Sequence, residues 1–238
     1  MACNTGVSSA PIIDGTTYDF RVAALFNGLA LMEDVQTRSY WDHVTGEAIH
    51  GQLRGAQLPD VAPLQYMPAH AAAKRYPQAE LALSTPSVRQ RVIHRVFLRR
   101  MLRDEGHLPF LFAPSMAKDD PRRPRMELGL GVWWPGLSRF YPMPALRELG
   151  GAVVDTLSDR RLLVFIDPES HAPVAAHTEA HGCRWQGQTL ELDDGSVVES
   201  LERVDAQGIR RPLELLPQLF TRWYGFSATF PGCEVFEP

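Results

Sequence analysis

A chain of 238 residues with 45% hydrophobic and 22% charged side chains has the balance of a core-forming protein, which excludes a disordered tail, a fibrous repeat and a coiled coil. Lys plus Arg number 24 and Asp plus Glu 28, a net charge of −4, which argues against a surface that grips nucleic acid along its whole length. No run reaches the ~18 consecutive apolar residues of a membrane helix, and Met1 to Ala10 has neither the basic start nor the apolar stretch of a signal peptide.

The first third reads as strands. Tyr18, Phe20 and Val22 alternate with Asp19 and Arg21, the period-two pattern of a half-buried strand. Asn27-Gly28 then separates two apolar runs, and this pair tolerates the positive φ angles of a primed hairpin turn. Glycines 46, 51 and 55 punctuate short strands as far as Leu58, and Pro59, Pro63 and Pro68 make a loop. Ala69 to Tyr76 is expected as a short helix stopped by Pro77, with a strand at Glu80 to Leu83.

Pro86 opens a long Arg-rich helix, in which Arg89, Arg91, Arg95, Arg99, Arg100 and Arg103 stud a stretch whose apolar residues recur at helical spacing. Between Lys74 and Arg125 lie 12 of the 24 basic residues against 5 acidic ones. Such a stripe reads either as a site for an anionic partner or as a solvated helix face. Residues 110 to 125 carry three prolines and mixed charge and read as a connecting loop. Strands follow at Leu128 to Trp133 and at the buried apolar run Leu162 to Ile166, with a helical turn at Pro144 to Leu149 between them. The remainder is strand-like up to the Trp223-Tyr224-Gly225-Phe226 segment.

The two halves repeat a pattern. Gly15-Thr16-Thr17-Tyr18-Asp19-Phe20 matches Gly187-Gln188-Thr189-Leu190-Glu191-Leu192 in character, and Tyr76-Pro77 through Leu81 matches Phe230-Pro231 through Val235. The expected fold is therefore β-rich α+β: a first β module at 1–85, the Arg-rich helix and Pro-rich linker at 86–126, and a related second module at 127–238.

Cys3-Asn4-Thr5-Gly6, Ser39-x-Trp41, Thr45-Gly46-Glu47-Ala48 and Gly51-Gln52-Leu53-Arg54-Gly55 together resemble a prokaryotic family defined only as domain of unknown function 3179. Its hallmark is Tyr-Cys-Pro-x-Cys-Asn-Thr-Gly followed by these motifs. Tyr141-Pro142-Met143, Val154-Asp155-Thr156 and Asp167-Pro168-Glu169-Ser170 fall in the family's order in the second half. The resemblance implies an earlier cysteine three residues before Cys3 and a strand leading into the motif, so this chain is expected to lack its leading strand. The neighbouring strand would then be an open edge suited to a homodimer. It also implies that Cys3 aligns with Ser170, and an extracytoplasmic location for any longer natural form.

The candidate site gathers in the first module. Asn4, Thr5, Gly6, Asn27, Trp41 and Thr45 are the ligand-binding set for a small molecule. Glu47, with His43, is the acid–base pair, although the family usually carries Gln where His43 stands. Cys3 is the metal or redox residue, since a thiolate is a soft ligand for a transition metal and needs a second cysteine for disulfide exchange. Each has a plainer alternative: a turn at Asn4 to Gly6, a core tryptophan at Trp41, a vestigial thiol at Cys3. His171, His177, His181 and Cys183 lie close together, but their spacing matches no zinc pattern. Cys183 and Cys233 are free to pair in an oxidising compartment. The two functional classes are a ligand-binding or scaffold protein, and a metal-dependent or thiol redox enzyme.

Overall fold

Short hydrophobic runs broken by glycine at left-handed φ produce short antiparallel strands joined by tight turns. A computed structural model describes residues 6–59, 62–80, 85, 87–88, 108, 112–116 and 119–238. The Arg-rich stretch, the strand expected at Glu80 to Leu83, and Cys3, Asn4 and Thr5 lie outside or largely outside these. The chain divides into two compact units interleaved in sequence, one from Met1–Leu64, Pro86–Leu128 and Thr221–Cys233, the other from Gln65–Thr85, Gly129–Phe220 and Glu234–Pro238.

The first unit contains β1 (Val7–Ser8), β2 (Ile12–Ile13), β3 (Thr16–Thr17), β4 (Phe20–Phe26), β5 (Leu29–Asp34), β6 (Tyr40–Asp42), β7 (Ala48–His50) and β8 (Ala62–Pro63). β1 pairs with β8, Val7 opposite Pro63. β2 and β3 form a hairpin across Asp14-Gly15, both at positive φ. β4 to β7 form an antiparallel meander in chain order. Asn27 (φ 51°) and Gly28 (φ 73°) make the expected primed turn between β4 and β5. The half-burial expected from Tyr18 is found at Tyr18 and Phe20, with Asp19 and Arg21 exposed between them, and it stops at Val22, 69% exposed on an edge strand just before a bulge between Val22 and Ala24. Phe20 lies edge-on to Trp41 with centroids 5.5 Å apart.

The second unit begins with α1 (Ala69–Arg75). It continues with β9 (Leu128–Trp134), β10 (Leu137–Pro142), α2 (Met143–Glu148), β11 (Ala152–Leu157), β12 (Arg160–Ile166), β13 (Pro173–His177), β14 (Cys183–Gln186), β15 (Thr189–Leu192), β16 (Val197–Glu199), β17 (Glu202–Val204), β18 (Arg210–Pro212) and β19 (Gln218–Arg222). α3 (Trp223–Thr229) then falls to the first unit, and β20 (Glu234–Val235) returns to the second. β11, β12 and β13 form one sheet, β14 to β18 a five-stranded meander, and β19-β9-β10-β20 a third sheet. The apolar run Leu162 to Ile166 is the centre of β12, as expected of a buried strand. Leu163, Phe165, Leu190, Leu192 and Val198 pack as one core. At roughly 25 cal/mol per Å² of apolar surface removed from water, such clusters supply the main stabilisation.

The helices among the described residues are six or seven residues long. α1 and α3 end alike. Tyr76 (φ −129°, ψ 71°) and Phe230 (φ −120°, ψ 74°) each cap a seven-residue helix and donate N–H to the carbonyl four residues back. A proline follows each and cannot continue the helix. In the first unit, α3 also explains Gly28: a Cβ there would stand 2.9 Å from the Tyr224 ring.

Candidate functional site

Ser39 and Trp41 belong to a buried polar knot centred on a residue the motif reading passed over, Asp34. Asp34 ends β5 with its carboxylate fully buried. One oxygen accepts the Thr37 N–H at 2.5 Å and its hydroxyl at 2.8 Å. The other accepts the Trp41 indole N–H at 2.9 Å and the Ser39 N–H at 3.2 Å. Ser39 Oγ takes the Leu53 N–H at 3.0 Å, which ties the loop after β7 to the same knot. A Cβ at Gly51 would stand 2.6 Å from Ser39 Cα, so only glycine fits there. Burial works against ionisation of Asp34, yet the indole of Trp41 with the Thr37 and Ser39 donors outweighs it and holds the carboxyl below its ordinary value. An acid followed three residues later by Thr is a recognisable side-chain turn. Nothing local marks this one as buried.

The expected first-module residues distribute as follows. Trp41 is 0% exposed and packs with Ala48 and Leu58 as core. Asn27 occupies the hairpin turn, its N–H on the Ser115 carbonyl at 2.9 Å. Thr45 forms a turn, its N–H on Asp42 Oδ1 at 3.0 Å and its hydroxyl accepting Glu47 N–H at 3.3 Å. Glu47 is exposed and bridges Gln57 through its backbone. His43 is half-buried, and burial pushes its pKa down against Asp42 and a hydrogen bond to the Ala30 backbone. Gly6 precedes β1. Cys183 and Cys233 are free thiols. Burial raises both, Cys233 to about 11, which leaves neither disposed to act as a thiolate near neutrality. His177 ends strand β13, with His181 in the connection to β14. Among the described residues no three His, Cys, Asp or Glu side chains converge as a metal-binding group.

Motif residues of the second half bind one another. Tyr141 donates its hydroxyl to Asp155 at 2.7 Å, and Arg139 joins Asp155 at 2.5 Å and also Glu234. Burial and the neighbouring Asp155 raise Tyr141 well above the ordinary phenol range, so it stays a neutral donor. This network clamps β10 to β11 and to β20.

Among the described residues, a concave feature with converging polar groups lies around the Asp167–His171 loop. That loop closes the β12–β13 connection: Asp167 N–H bonds the Ala172 carbonyl at 2.9 Å, His171 N–H the Asp167 carbonyl at 2.7 Å, and Ser170 N–H the Asp167 carboxylate at 3.1 Å. His171 sits at φ 57°. The end of α1 is tied to it, Lys74 to Glu169 at 3.1 Å and Arg75 to Glu169 at 2.8 Å and Asp167 at 3.5 Å. Lys74, then Arg75, hold the Glu169 carboxyl below its ordinary value. Nε and Nη1 of Arg75 are buried without a partner among the described residues. The resulting cleft of about 440 Å³ is lined by His70, Lys74, Glu169, His171, Gln188 and Thr189 among others. Three separated segments build it: the end of α1, the β12–β13 loop, and the turns of the β14–β18 meander.

A β-rich chain of several mostly antiparallel sheets, with a buried polar knot and a polar cleft among the described residues, is the class these features define. The chain belongs to the family described as Protein of unknown function (DUF3179), whose model matches residues 2–233. No curated protein and no solved structure matches it. No helix among the described residues is long and apolar enough to cross a membrane.

Proposed function

We propose that the chain is a ligand-binding protein built from a duplicated β-rich unit, with a binding cleft at the Asp167–His171 loop. The observation that carries the binding reading is the 440 Å³ cleft, whose lining mixes Lys74, His70 and His171 with Asp167, Glu169 and Glu199 and adds the neutral groups of Gln188 and Thr189. Mixed charge around a small volume suits a small zwitterion, such as an amino acid or dipeptide, better than a simple anion or an apolar ligand.

Strand register supports the duplication. Aligning Cys3 with Ser170 puts Val7 on Val174, and aligning Tyr76 with Phe230 puts Pro63 on Pro217. Val7 pairs with Pro63 in β1–β8. The antiparallel bridge of Ala176 to Leu215, carried two residues along, puts Val174 opposite Pro217. Two independent sequence alignments thus predict one and the same pairing. The matching ends of α1 and α3 agree with it. In this reading the copies exchange helices, since α1 of the first copy packs in the second unit and α3 of the second copy in the first. Cys3, Asn4, Thr5 and Gly6 are the first-copy counterpart of the cleft loop.

Calorimetric titration of the full chain with free amino acids and dipeptides is expected to find a bound zwitterion. His171→Ala or Gln188→Ala should weaken it about tenfold, the loss of one polar contact of ~1.4 kcal/mol. No binding across that panel, or binding untouched by both substitutions, refutes the reading.

A further inference from the structure

A second depression lies on the other side of Pro168, which lines both. Its volume is about 560 Å³, within the range of small-ligand sites. Its lining is of a different character: Arg147 from α2, Trp185 from β14, and the glycines Gly150, Gly151 and Gly187, with no acidic residue.

Two donors there have no protein partner among the described residues, Arg147 on the exposed end of α2 and the half-buried Trp185. The Arg147 guanidinium makes no ion pair or hydrogen bond among the described residues, whereas Arg139, Arg184, Arg203 and Arg210 of the same unit are each held by a carboxylate. The Trp185 indole N–H likewise has no hydrogen bond among the described residues. Its ring is half-buried and fixed edge-on to Phe165 with centroids 6.4 Å apart, so its position is set by the core beneath. The glycines keep the ring uncovered. All three sit at positive φ, a Cβ on Gly150 or Gly187 would meet nothing within 4 Å, and one on Gly151 would lie 3.7 Å from Trp185 Nε1. Backbone geometry demands glycine at these positions, and the same glycines leave open space above a rigid aromatic platform.

We propose that this depression binds a ring-bearing monocarboxylate, the carboxylate on the Arg147 fork and the ring against Trp185. A guanidinium presents paired N–H donors that match a carboxylate bidentately, and an indole offers both a flat apolar surface and one N–H for a further ligand oxygen. Aromatic acids and uronic-acid sugars share this chemistry. The site is separate from the zwitterion cleft, because Arg147 and Trp185 do not line that cleft and His171 does not line this one.

The test is a titration of the full ¹⁵N-labelled chain, read at the Trp185 indole resonance assigned with Trp185→Phe. The probes are phenylacetate and glucuronate, with 2-phenylethanol and glucose as their neutral counterparts. The expected result is a saturable shift with at least one acid, no saturation with its neutral counterpart, and binding about tenfold weaker in Arg147→Gln. Arg147→Lys should fall between, since it keeps the charge and loses the fork. A response to phenylacetate alone assigns an aromatic acid as the ligand, and a response to glucuronate alone an acidic sugar. His171→Ala should leave the acid titration unchanged. No saturable shift with either acid, equal shifts with the neutral probes, or full affinity in a folded Arg147→Gln protein overturns the proposal.

Discussion

Replacing Asp34 by Asn tests whether the buried knot holds the first unit together. The two side chains have nearly the same size, so packing around Trp41 is preserved and only acceptor capacity changes. Asp34 offers two acceptor oxygens to Thr37, Ser39 and Trp41, and Asn offers one. If the amide oxygen stays toward Thr37, the amide NH₂ confronts the Ser39 and Trp41 N–H groups, and two buried donors are orphaned. If it flips, the Thr37 N–H loses its partner. At ~1–3 kcal/mol per orphaned donor, the flipped amide is the cheaper arrangement and the expected cost is about 1–3 kcal/mol. For a chain of this size that lowers the melting transition by roughly 2–12 °C. The sign with pH is also fixed. The folded carboxyl lies below its ordinary value, so its stabilisation is complete above the unfolded pKa of about 4 and fades as pH falls through the folded value. The gap between wild type and Asp34→Asn, followed by Trp fluorescence, should therefore be wide at pH 6 and shrink toward pH 3. A melting point within about 2 °C of wild type at pH 6 is below the ~1 kcal/mol minimum for one orphaned donor and refutes the account. So does a gap that stays constant with pH.

His43 makes the complementary test in the same unit. Burial depresses its pKa, so the unfolded chain binds the proton more readily and acidification through about pH 6.5 should destabilise wild type. His43→Gln should flatten that part of the stability profile, and an unchanged slope between pH 7 and about pH 5.5 counts against it. Cys233, raised to about 11, should resist iodoacetamide at pH 8 in the native protein and react at once in denaturant, as peptide mapping would show. Rapid native labelling would mean that the thiol is not buried as described. Val22→Lys places a charge on an exposed edge strand and should change stability by less than ~0.5 kcal/mol, while lowering any self-association through that edge in sedimentation experiments. A large loss of stability would show that Val22 is covered.

Features decided within a few residues were legible in the sequence, and features decided by distant partners were not. Asn27-Gly28 dictated its hairpin because both residues accept left-handed φ, and Pro77 dictated the end of α1 because it has no N–H to give. The run Leu162 to Ile166 was readable as a buried strand because its hydrophobicity is continuous. Trp41 shows the limit. A family motif marks it as important without saying why, and its indole proves to serve Asp34 seven residues earlier inside the core. The alternation that starts at Tyr18 holds through Arg21 and ends at Val22 for a reason periodicity cannot register, a bulge in an edge strand. The cleft is the extreme case. Lys74, Glu169 and Gln188 come from segments about a hundred residues apart or from separate loops, and each alone is an ordinary surface residue. What brings Lys74 to Glu169 is the packing of α1 in the second unit rather than beside the strands that precede it. Helical periodicity specifies that α1 forms and which face is apolar, but not which sheet receives that face. The ion pairs of Lys74 and Arg75 with Asp167 and Glu169 fix its end against the β12–β13 loop, partners that no local pattern around α1 points to.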